Sequence, residues 1–477
     1  MLRSLAALLI PTAALLGAEW SWSWPVAAGA ASPRAEICPF KYGKQWAYAI
    51  EIDDGPKWAR SFAVPFLAEH HFTDAPPGVP GGKPRPFVGG IAVIVSTVGA
   101  NAALVDWDDL AAMTAAGWGV INHSLNHAGR SWGDEAGRLS DAQVKEDGFW
   151  SQALLAVGMG TGRAPTAYVY ANGYVDYNRG GLLASLGVSI ATKVGGRVPT
   201  DVTRGEIAWL DFGRNYLDEG TWSKDQKGDP MSGIPVLDGD GPVDRLVIDF
   251  THGIDAKAES PNHQRWRTRL STIGERWGAK GRDNLWCAPT GEVADYLRAA
   301  RVAKVTAARD RLTVSIPDGL PGSAMTVRLS GIPANVPLTA PAGAILHRQG
   351  DSVWLTTPPI GEPGAPAPLP HVRQVYAGPP GAIDLGKACE VAAVSVEIAH
   401  ELPVKFSYRI VLHTTEGEHQ LVEKNMPAGW FVGTNLHALV PTSAAITATG
   451  LTLVPRPGIK KVVVWAIDPA PAEKTRR

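Results

Sequence analysis

Four residues have the types and spacing that metal-assisted hydrolysis needs. His123 and His127, in "VINHSLNH", stand four positions apart where a strand-like stretch ends, so two imidazoles can face one cation. Asp53 and Asp54, in "AIEIDDGPKWA", sit where another apolar stretch meets a Gly-Pro turn. Side chains alternate along a strand, so two adjacent acids point in different directions. One can bind a cation while its neighbour stays available as a base. Two histidines and one carboxylate make a three-ligand set for a divalent ion such as zinc, with an open position for water. Taken singly, Asp-Asp-Gly also suits a β-turn, and two histidines suit a solvated loop.

Elements that can position these groups are written along residues 45 to 300. "WAYAIEI", "GIAVIVST", "WGVIN", "TAYVYA", "VSIATKV", "IAWLDF" and "RLVIDF" read as strands. Between and after them, "DWDDLAAMTAAG", "LSDAQVKEDGFWSQALLAVG", "HQRWRTRLSTIGERWG" and "TGEVADYLRAARVAK" read as helices, several opened by Asp, Ser or Thr. Strands alternating with helices predict parallel β–α units closing into a barrel-like α/β domain over residues 31–304. Such barrels carry their chemistry on loops at the strands' C-terminal ends. Helical periodicity then stops. A small all-β unit is expected over 305–360, a Pro-rich linker over 361–379 and a β-sandwich over 380–470, which either binds glycan or covers the barrel.

Arg3, the apolar run "SLAALLIPTAALLGA" and the small residues of "AAGAAS" read as a secretory leader over residues 1–30, cut after Ala30. The mature chain is therefore expected to be secreted or periplasmic, with no membrane association after cleavage. With 45 basic against 46 acidic residues, the chain lacks the basic excess of a nucleic-acid binder. Three cysteines, Cys38, Cys287 and Cys389, allow one disulfide and are too far apart for a Cys-x-x-Cys zinc site. Tryptophan stacks on sugar rings through its flat face. Trp58, near the acid pair, and Trp132, just after the histidines, are candidate substrate contacts, joined by Tyr170 and Arg214.

The order strand, Asp-Asp-Gly, strand, His-Ser-x-x-His resembles the polysaccharide deacetylase family, the NodB-homology group of carbohydrate esterases. Asp53, Asp54 and Gly55 match its first motif; His123, Ser124 and His127 match its second. The resemblance implies a distorted (β/α) barrel. It also implies Asp54, His123 and His127 as ligands of a divalent metal, zinc foremost, with Asp53 as general base. The family's Arg-x-Pro-Tyr-Gly-like loop is matched poorly by "TAYVYANGYVDYN", which has Val169 in place of the arginine and Asn172 in place of the aromatic residue. The family's oxyanion donor is a backbone N–H, a role implied here for Asn172. Arg163 or Arg214 is left to orient Asp53. The family's general-acid histidine is matched by His252 in "RLVIDFTHGI". The function implied is metal-dependent removal of acetyl groups from a polysaccharide, N-acetyl groups of an amino-sugar polymer first and O-acetyl esters such as xylan's next. No protein partner is implied. The rival reading is a glycan-binding protein on the same fold without catalysis; the presence of Asp53 argues against it.

Overall fold

The computed structural model describes residues 17–26, 31–127, 139–173, 175, 177–195, 200–218, 243–369, 371–398, 406–426, 433–440, 443–454 and 459–467. Seven parallel strands form a closed ring: β1 (Trp46–Ile52), β2 (Gly90–Val93), β3 (Gly119–Asn122), β4 (Ala167–Val169), β5 (Ile190–Val194), β6 (Phe212–Tyr216) and β7 (Arg245–Thr251). β7 returns to β1, with Leu246 opposite Ala47 and Thr251 opposite Ile52. An eighth strand, β8 (Leu285–Cys287), pairs with the first half of β1, while β2 pairs only with its end. The barrel is distorted at this shared seam. All seven residues of β1 are buried, as expected for a parallel strand covered on both faces.

The four predicted helices start within two residues of their expected positions, and a further helix, Tyr177–Ser185, has no counterpart in the prediction. Asp106 and Asp109 form a capping box on Trp107–Ala115, and Ser140 and Gln143 form another on Asp141–Gly158. Ser140 accepts from the backbone N–H of Gln143, and the Gln143 side chain reaches back to the cap. Ser260 caps Pro261–Arg276, with proline in the first helical turn, where its missing N–H costs nothing. Among the described residues, no helix is long and apolar enough to cross a membrane.

All-β sheets follow the barrel. A seven-stranded antiparallel sheet is built around the long strand Ala382–Ile398 and docks on the barrel. There the Trp150 indole N–H donates to the Val440 carbonyl at 2.5 Å. The smaller β unit departs from its expected 305–360 span, because it recruits strands from the N-terminus. Arg34–Ile37 pairs with Ser323–Ser330, and Ala18–Ser23 pairs with Arg311–Ile316. The second of these lies inside the segment expected to be a leader. Trp22 and Trp24 are each 7% exposed, with ring centroids 5.0 Å apart. Burying two indoles supplies the apolar area that anchors so short a strand. The Pro-rich stretch is likewise pinned. Ala365–Pro366 pairs with Arg163–Ala164 of the barrel, and Val372–Gly378 is an edge strand of the last sheet. Cys38, Cys287 and Cys389 are free thiols.

Candidate functional site

Every candidate chemical residue from the motifs falls at the C-terminal ends of the ring strands. Asp53 and Asp54 follow β1, His123 and His127 follow β3, Asn172 follows β4, and His252 follows β7. The backbone bends sharply to put them there. Asp54, Ser124, His127 and Asn172 all have positive φ, at 67°, 69°, 52° and 57°. Each such non-glycine residue costs on the order of 1–2 kcal/mol, so packing elsewhere must hold it. Gly173 shares this conformation at φ 72°, and a Cβ there would lie 2.1 Å from Val194.

The His123–His127 loop is tied to helix Asp141–Gly158. Asn122 accepts from the Ser124 N–H at 2.9 Å and donates to Ser151 at 2.8 Å and Gln152 at 3.1 Å. Asp147 accepts from the Leu125 N–H at 3.1 Å, and Arg179 lies 3.5 Å from its other oxygen. His123 Nδ1 lies 3.0 Å from the Val169 carbonyl. A carbonyl only accepts, so Nδ1 carries the proton and the Nε2 lone pair is free to coordinate. That Nε2 is 3.5 Å from Asp54 Oδ1, and His127 Nε2 is 3.9 Å from the same oxygen. The three ligand atoms lie within 4.8 Å of one another.

These residues fit a divalent cation. Among the described residues, Asp54 Oδ1 is buried with no hydrogen-bond donor, an unfavourable state that a cation would relieve. Burial, and then the neighbouring His123, push the His127 pKa down to about 4, so it is a neutral ligand at ordinary pH. Burial raises the Asp54 carboxyl, but His123 and then the charges of His252 and His127 outweigh it and hold it at about 2. Metal binding needs this unprotonated set.

Two hydrogen-bonded pairs flank the trio. Arg214, on β6, donates from Nη1 to Asp53 Oδ1 at 2.8 Å and from Nη2 to Asp53 Oδ2 at 2.6 Å. Both residues are almost fully buried. His252 Nδ1 lies 2.7 Å from Asp218 Oδ2, and its Nε2 is 4.0 Å from Asp54 Oδ2. The hydrogen bond to Asp218 is the largest cause of a raised His252 pKa, against opposing burial. Asp218 is itself fixed by the Thr251 hydroxyl and by the His252 N–H at 3.0 Å.

Several expectations need correction. Arg214 is not a substrate contact: it is 1% exposed and both terminal nitrogens are committed to carboxylates. It is the arginine that orients Asp53, whereas Arg163 sits on the far side with Glu362 at 2.9 Å. Tyr170 is 1% exposed and donates its hydroxyl to the Leu210 carbonyl at 2.9 Å, so it cannot reach a substrate. Trp58 is half-buried and packs against the barrel core. Trp132 lies outside the described residues. Asn172 is exposed at the rim. Sequence reasoning missed Asp218 and Glu51. Asp218 lies two residues past the strand Phe212–Tyr216, which the predicted strand at 207–212 places too early; Glu51 is hidden in an apolar run.

No family model matches the chain, and no curated protein matches it. Among solved structures, the deacetylase PplD of Streptococcus pyogenes, in complex with acetate, is similar at 15% identity and TM-score 0.26, over 35% of this chain and 62% of that one. A family 4 acetyl xylan esterase from Clostridium thermocellum, with cobalt, is similar at 16% and 0.27, over 48% and 84%. A polysaccharide deacetylase from Bacillus cereus is similar at 18% and 0.27, over 35% and 46%. The chain thus spans under two thirds of the first and third of these.

Proposed function

We propose that the protein is a metal-dependent carbohydrate deacetylase that removes N-acetyl groups from an amino-sugar polymer. One observation carries the reading: at one barrel mouth a two-histidine, one-aspartate trio lies beside a clamped carboxylate and a carboxylate-bound histidine. Asp54, His123 and His127 would hold the ion, with zinc the expected metal, and the ion would supply Lewis acidity toward the acetyl carbonyl.

The chain's own residues do the rest. Asp53, fixed by Arg214, takes the proton of the attacking water as general base. His252, whose pKa the hydrogen bond to Asp218 raises, gives a proton to the leaving amine. The backbone N–H of Asn172 donates to the developing oxyanion. Half-buried Trp58, four residues past Asp54, is the candidate sugar contact. The positively charged then apolar N-terminus supports export.

The test is acetate release from a panel of N-acetylated and O-acetylated glycans, with chelator and after zinc is restored. Release from the N-acetyl members, lost with chelator and regained with zinc, is the expected result. Release confined to O-acetyl esters would move the substrate class. Binding without any release would make this a glycan-binding protein.

A further inference from the structure

We propose that Glu51 is a positioning residue for Asp53, acting through Arg214. The proposal presupposes the deacetylase reading, in which Asp53 is the base. Residues 51 and 53 lie on the same face of β1, because side chains alternate. Glu51 has no solvent exposure. Its Oε2 accepts from Arg214 Nη1 at 2.8 Å and from the Thr192 hydroxyl at 3.1 Å, and its Oε1 accepts from the Thr290 hydroxyl at 2.6 Å. Arg214 Nη1 therefore bridges the two acids. The Phe250 ring closes the remaining side, with the guanidinium carbon 3.6 Å from its centroid.

Asp53 alone would neutralise Arg214, so the second buried acid is surplus to charge balance. A buried carboxylate is unfavourable unless fully hydrogen-bonded. Glu51 is so bonded, and what its partners add is a fixed direction. Thr192 stands on β5 and Thr290 opens helix Thr290–Val302. Through them Glu51 ties the guanidinium to two further elements of the barrel. With three anchors the planar fork of Arg214 has one orientation, and so does the carboxylate bidentate to it. Without Glu51, Arg214 keeps a single carboxylate partner and can swing with it. A base displaced by about 1 Å loses on the order of 10²-fold in rate.

The experiment compares wild type, Glu51→Gln and Glu51→Ala in zinc-loaded form, by steady-state acetate release, elemental analysis and crystal structure. Glu51→Ala is expected to keep full zinc and a KM within roughly threefold of wild type while kcat falls roughly 10- to 100-fold. Glu51→Gln, whose amide oxygen still accepts from Arg214, should recover part of that loss. In the Glu51→Ala crystal, Arg214 and Asp53 should be displaced. A folded, zinc-loaded Glu51→Ala with unchanged kcat, or with both side chains in place, overturns the proposal. If Glu51→Ala does not fold, Thr192→Val with Thr290→Val removes the tethers and leaves every charge, and the same outcomes apply. Absence of acetate release by wild type would instead refute the deacetylase reading; the crystal comparison still decides whether Glu51 fixes Asp53.

Discussion

Asp53→Asn should leave the metal trio loaded, nearly abolish turnover and also weaken the fold. The three effects have separate origins. Asp53 is not among the three clustered ligand residues, so zinc content should match wild type. General-base catalysis contributes ~10²–10⁴-fold, equivalent to ~3–5 kcal/mol of barrier. The stability loss follows from the clamp. Asp53 accepts two N–H groups from a buried guanidinium, at 2.8 and 2.6 Å, and an asparagine must turn its NH2 toward one of them. Breaking a buried ion pair costs ~3–5 kcal/mol, but Glu51 still partners Arg214 here, so about 2 kcal/mol is the expected loss. The assay sets zinc content, acetate-release rate and melting temperature of the variant beside wild type. A rate within tenfold of wild type at full zinc removes Asp53 as base. An empty site means the two neighbouring acids have exchanged roles, and an unchanged melting temperature refutes the clamp.

Asp54→Ala, His123→Ala and His127→Ala should each lose most bound zinc, and elemental analysis showing full occupancy in all three would refute the ligand set. Asp218→Asn removes the hydrogen bond that does most to raise the His252 pKa; N-acetyl substrates should slow far more than activated esters, and equal slowing would argue against His252 as acid. Asp295 is buried, which pushes its carboxyl from 3.8 up to about 6. The folded state then binds its proton more tightly than the unfolded state, so this group's contribution to stability falls as pH rises through that window and is flat above it. Asp295→Asn should therefore gain on wild type from about pH 4 to pH 6, by at most ~3 kcal/mol and less for the weakened bond from Thr166; thermal melts that differ by a constant amount across pH would refute this. A chain begun at Ala31 lacks the strand Ala18–Ser23 and the buried Trp22 and Trp24 and should melt well below one begun at Gly17, each indole being worth ~2–3 kcal/mol; coincident melts would detach that strand from the fold.

The parts of the site legible in the sequence are those set by local rules. A strand followed by adjacent acids, or by histidines four apart, exposes its chemistry as spacing. Most of the barrel is legible for the same reason, since its strands are short apolar runs; Phe212–Tyr216 is the exception, being half polar and placed too early at 207–212. Arg214, Asp218 and Glu51 follow no such rule. Arg214 lies mid-strand in "DFGRNYL", and it reaches Asp53 only because ring closure brings β6 and β1 within one side chain's length. Glu51 looks like a solvent-facing acid in an alternating strand until the closed sheet buries both faces. The N-terminal strand has a local signal, the period-two tryptophans of "EWSWSW", but the apolar run before it reads as a leader and draws the segment in with it.

The pairing of that strand also sets a timetable. Trp20 meets Val314 across about 290 intervening residues, and Ala35 waits equally long for Leu329. At roughly 5–20 residues per second, translation alone separates these partners by about 15–60 s. Throughout that interval the first two strands are unpaired edges, one of them studded with tryptophan, while the barrel strands can already close on their neighbours. Such edges template pairing with other chains. Aggregation during synthesis should thus begin at residues 18–37 of nascent chains that have not yet reached residue 330, and a chaperone that shields this segment until then would have the largest effect on yield.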